Sequence, residues 1–101
     1  MDTATPLPEL RLEDFLPLVG SRIGVELGEH RAELEVKEAA LIGSPSPRKA
    51  PSFHVILRSP PTWRATQGMF RLQHPTLGAI EVFTVPVGPD GVGLCYEIVF
   101  N

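Results

Sequence analysis

A chain of 101 residues, 43% hydrophobic and 21% charged, carries enough apolar material for one core and too little length for two, so one folded domain is expected and intrinsic disorder is excluded. Nine Lys and Arg against twelve Asp and Glu leave a formal net charge of −3, with no basic surplus to neutralise a phosphate backbone, which argues against nucleic acid as a partner. A single cysteine, no apolar run near the ~18 residues of a membrane span, and an opening MDTATPLPEL without a basic or apolar stretch together lead us to expect a cytoplasmic protein with no disulfide and no membrane contact.

Eleven prolines and nine glycines punctuate the chain and favour short strands joined by turns. Residues 1–9, with Pro6 and Pro8 in a polar setting, are expected to form a flexible arm, and residues 10–101 the single domain. In LRLEDFLPLVG, Leu12, Phe15, Leu16 and Val19 fall at helical spacing, acids Glu13 and Asp14 lie near the start, and Gly20 supplies a stop. Pro17 lacks an amide hydrogen, so the segment should reach one or two turns, partly 3₁₀, and plug one end of a β core.

From Arg22 the period changes to two. Ile23, Val25 and Leu27 alternate with Arg22, Gly24 and Glu26, and after a turn at Gly28-Glu29-His30 the residues Ala32, Leu34 and Val36 repeat the pattern in a second strand that could run on to Ile42. Residues 43–51, GSPSPRKAP, hold three prolines and no periodicity and read as a mobile, exposed loop. Phe53, Val55 and Leu57 mark a third strand closed by Ser59-Pro60-Pro61-Thr62, and Phe70 and Leu72 mark a fourth opened by Gly68. After a turn at His74–Gly78, Ala79–Val87 forms an apolar fifth strand whose Pro86 demands an edge or a bulge. Gly88-Pro89-Asp90-Gly91 then turns the chain into a sixth strand, Leu94–Phe100, apolar on both faces except for Glu97 and therefore central. The fold class is all-β and mainly antiparallel, a barrel or sandwich of about six strands with a short N-terminal helix, the strands following one another in antiparallel succession.

His30 and His74 fall in turns and His54 in a strand, with no i, i+2 or i, i+4 pair of the kind that holds a metal, so no metal ligand is assigned. His74, before Pro75, is expected to hydrogen-bond its own turn, and His54 to face solvent. Cys95 lies in an apolar strand and reads as a buried small hydrophobe rather than a thiolate nucleophile. Ser44 and Ser46 lack a nucleophile-elbow context, and no glycine-rich phosphate cradle is present, so no catalytic residue and no cofactor are assigned. Candidates for contact with a protein partner are Arg48 and Lys49 in the proline-rich loop, and Trp63, which either seals an end of the core or stands exposed as an anchor.

Several segments taken together, FHVILRSP at 53–60, QGMFRLQHPTLG at 67–78, VFTVPVG at 82–88 and YEIVFN at 96–101, with the LEDFLPLVG start, resemble a family of small uncharacterised bacterial domains, and the likeness covers nearly all of the chain beyond residue 10. What the resemblance implies is a short β-rich protein of unknown function, in some members encoded near phage-tail-collar-like proteins, with no catalytic residue to carry over. Three functions follow as expectations: a noncatalytic protein-interaction or accessory module, linked through the resemblance to a phage-tail-like assembly; a small-molecule-binding barrel or unrecognised enzyme using Tyr96, His74 or Arg71; or a self-assembling structural subunit.

Overall fold

The computed structural model describes residues 10–43, 51–60 and 68–100. Two 3₁₀ turns, Leu12–Asp14 and Leu16–Leu18, precede six strands: β1 (Arg22–Leu27), β2 (His30–Leu41), β3 (Phe53–Ser59), β4 (Gly68–His74), β5 (Gly78–Pro89) and β6 (Leu94–Phe100). They close into an antiparallel barrel in the order β1-β2-β3-β6-β5-β4. The all-β reading therefore holds, and the choice between barrel and sandwich falls to the closed barrel.

Antiparallel succession fails at one step. Strand β3 pairs with β6 and β4 pairs with β1, so the chain makes two three-stranded meanders, β1-β2-β3 and β4-β5-β6, joined side by side at both ends. The meanders match in their strand lengths, 6, 12 and 7 residues in the first and 7, 12 and 7 in the second. Each long strand serves two neighbours. His30–Glu35 of β2 pair with β1, while Glu35–Leu41 pair with β3; Gly78–Thr84 of β5 pair with β4, while Val85–Pro89 pair with β6. Each also carries a bulge in its second half, where Lys37 and Val87 are the residues without a cross-strand partner. A bulge bends the strand and raises its twist, which lets one strand turn the corner between neighbours in a small barrel. Pro86, next to the second bulge, satisfies the expectation of a bulge at that proline.

Alternation decides which side chains fill the interior. Ile23, Val25, Leu34, Val36, Val55, Leu57, Phe70, Leu72, Ile80, Val82, Tyr96 and Ile98 are all buried in one cluster, each contributing about 1.5–3 kcal/mol through removal from water. One end of the barrel is closed by the 3₁₀ segment. Phe15 lies 5.9 Å from Phe53 and 5.4 Å from Phe100, which stack on each other at 4.5 Å, and the edge of His74 meets its ring at 5.4 Å. His74 also ties the plug down. Its Nε2 donates to the Asp14 carbonyl at 2.6 Å, while Nδ1 accepts from the amides of Thr76 and Leu77 at 3.2 Å each, which leaves the proton on Nε2. The turn-binding role expected of His74 is thus met, with a second, long-range bond added. Behind the plug, the Gly20 amide donates to the Val36 carbonyl and the Val36 amide to the Ser21 carbonyl, at 2.8 and 2.9 Å, extending the sheet beyond β1.

Two glycines are required by geometry. Gly28, at φ +60°, occupies the first position of the two-residue turn between Leu27 and His30, where a Cβ is disfavoured. Gly93 packs against the carbonyl of Ser59 so closely that any side chain would collide with it.

Candidate functional site

The barrel interior is occupied by packed side chains, so the surface features that could act lie on its outer face. The first is a polar network across β2, β3 and β6. Because Lys37 is the bulge residue, Lys37 and Glu38 both project outward at successive positions. Arg58 of β3 donates from Nε and Nη2 to Asp90 Oδ2, at 2.7 and 2.6 Å, and from Nη1 to Glu35 at 2.9 Å. Lys37 Nζ reaches the same Asp90 oxygen at 3.0 Å, and Asp90 Oδ1 accepts from the amides of Val92 and Gly93 at 3.0 Å each. The Arg58 guanidinium first, then the two amides and Lys37, hold the Asp90 carboxyl far below the usual carboxylate range. This arrangement is saturated: each charge already faces its opposite, and the turn between β5 and β6 is pinned to β3.

Cys95 lies buried under the same network, with Lys37 Nζ 3.9 Å from its Sγ. Burial, reinforced by the Asp90 carboxylate, pushes the thiol up from its usual value, so the sulfur is a poor nucleophile. The expectation of a buried, unreactive thiol agrees with this placement. His54 does not face open solvent as expected. It is half-buried between two carboxylates, Nδ1 to Glu97 at 2.8 Å and Nε2 to Glu38 at 2.7 Å, because the bulge turns Glu38 onto its face. Burial disfavours the imidazolium, but the hydrogen bonds to Glu97 and Glu38 outweigh it and the pKa is raised.

The second feature is apolar. Met69 of β4 and Phe83 of β5 are directly opposite each other on the outer face and are 56% and 54% exposed. Along β5 the same face carries Val85 and Val87, and on β6 it carries Val99, all exposed. The stripe is rimmed by polar groups: the directly opposed Arg71 and Glu81 in the next outward row of β4 and β5, and Glu97 and His54 across β6. Two surface depressions, of about 290 and 310 Å³, lie elsewhere, among Arg22, Glu35 and Arg58 and around Gly24, Glu26 and Arg31. Both are open surface depressions with charged side chains among their lining rather than enclosed cavities of the kind that hold small ligands.

Arg48, Lys49 and Trp63, the candidate contact residues, lie outside the described residues, as do the expected N-terminal arm and the tip of the 43–51 loop. Of the residues named for an alternative enzyme, Tyr96 is buried against Phe70 with ring centroids 5.6 Å apart, His74 is tied to the plug, and Arg71 stands at the rim of the apolar stripe, so the fold does not bring them to one site. The apolar stripe was missed at the level of sequence, although a signal for it exists. In a closed barrel one parity of each strand fills the interior, and β5 is apolar at both parities, so its second apolar set falls on the outer face.

Among the described residues no group of three or more His, Cys, Asp or Glu is placed to hold a metal ion, and no helix is long and apolar enough to cross a membrane. No curated protein and no solved structure matches the chain. The family model of DUF6916, a domain of unknown function, matches residues 10–100, and the chain belongs to that family.

Proposed function

We propose that this domain is a noncatalytic protein-interaction module, acting in the cytoplasm as an accessory part of a larger, phage-tail-like assembly, and that its place there depends on the apolar outer face of β4, β5 and β6. The observation that carries the reading is the exposure of Met69, directly opposite Phe83, and of Phe83, Val85 and Val87 at alternate positions of β5, outside a barrel whose interior is already filled. Contiguous exposed apolar surface with a polar rim has the anatomy of a protein interface, with a dry centre and charged margins that set orientation. Catalysis finds less support. The buried thiol, the doubly bonded His54 and the tied His74 are each held in structural roles.

The test is affinity purification from the native host with the wild-type domain and with a Phe83→Ser/Val87→Asp variant whose fold is checked by circular dichroism. The expected result is a tail-like protein retained by the wild type and lost from the variant. Equal recovery with both proteins overturns the assignment to this face.

A further inference from the structure

We infer that the occupant of the β4-β5-β6 outer face is a second copy of this chain, in an isologous dimer built by stacking the two faces. This rests on the reading above that the face is an interaction surface. The apolar side chains project from the outer face of the sheet rather than from a strand edge, so two copies that bury them meet face to face, about 10 Å apart as stacked sheets are. Met69, Phe83 and Val87 are each more than half exposed, and a dimer that covers them gains the apolar centre that interfaces of about 800 Å² per partner carry.

Charge selects the partner. A two-fold contact puts a surface against itself, so the surface must be its own complement. A face shaped for a strongly charged partner would carry one sign; this one carries both. Arg71 and Glu81 sit directly opposite each other beside the stripe, and among the described residues neither makes an ion pair or a side-chain hydrogen bond. They leave the row neutral on a chain whose net charge of −3 otherwise opposes self-association. Across a two-fold axis, Arg71 of each copy can pair with Glu81 of the other, twice, while Phe83, Val85 and Val87 form the dry centre. The opposite rim asks for nothing further, since Glu97 is already bonded to His54.

The experiment is sedimentation of the full chain over a concentration series from low micromolar to near-millimolar, with circular dichroism on every variant. The wild type is expected to pass from monomer to dimer, and Phe83→Ser/Val87→Asp to remain monomeric with its fold intact. Arg71→Glu alone and Glu81→Arg alone each place like charges across the axis and should weaken the dimer at least tenfold. An equimolar mixture of those two variants restores both pairs and should dimerise again as a heterodimer. A wild type that stays monomeric throughout, a dimer that survives Phe83→Ser/Val87→Asp, or a mixture no better than its components overturns the inference. A monomeric wild type whose captured partner still depends on Phe83 leaves the interaction reading standing without the dimer, so the two failures are separable.

Discussion

Both ring nitrogens of His54 are committed to carboxylates, an arrangement that favours the imidazolium and raises its pKa above the ordinary 6.5. A group whose pKa is raised on folding stabilises the native state fully below its unfolded value and loses that contribution as pH rises through the folded value. Thermal melting of the wild type and of His54→Gln should therefore differ most below about pH 6.5, with the gap closing at higher pH. A difference independent of pH would assign His54 a packing role alone. Asp90 runs the other way: its depressed carboxyl contributes above the usual 3.8 and ceases to do so as pH falls through its folded value. Neither role is visible in the sequence. His54 and Glu38 are separated by 16 positions, His54 and Glu97 by 43, and Asp90 stands 32 from Arg58.

At the scale of the element, the 3₁₀ plug is short, yet it closes one end of the core. Its hold comes from Phe15 among Phe53, Phe100 and His74, and from the bond between His74 and the Asp14 carbonyl. Phe15→Ala removes a fully buried ring from a cluster that cannot collapse without moving three strands, and should cost about 3–5 kcal/mol, read as a fall in the denaturation midpoint by urea unfolding. A loss below about 1 kcal/mol would show that the barrel is stable without its plug. The helical spacing and Pro17 were enough to expect such a plug, because both are local. The bulges at Lys37 and Val87 were half legible. Pro86 announced the second by its missing donor, whereas nothing around Lys37 marks the first, whose position depends on how β2 meets β3.

Across the whole molecule the two meanders are joined unequally. Strands β3 and β6 share seven cross-strand pairs, Phe53 to Ser59 against Phe100 to Leu94, while β1 and β4 share three, at Gly24, Val25 and Glu26. The β1–β4 seam has fewer hydrogen bonds to break and should open first. Amide hydrogen exchange is expected to be faster at the seam than along β3 and β6; uniform protection around the ring would contradict this. What the sequence by itself determined is the set of strands, the inward parity of β1 to β4 and the main turns, since alternation, prolines and glycines act over a few residues. Tertiary structure alone decided the rest. Ring closure places β4 beside β1 and β6 beside β3, because joining the meanders at both ends gives each strand a partner on both sides over part of its length. That closure also leaves the second apolar parity of β5 on the outside, exposed because the interior is already full.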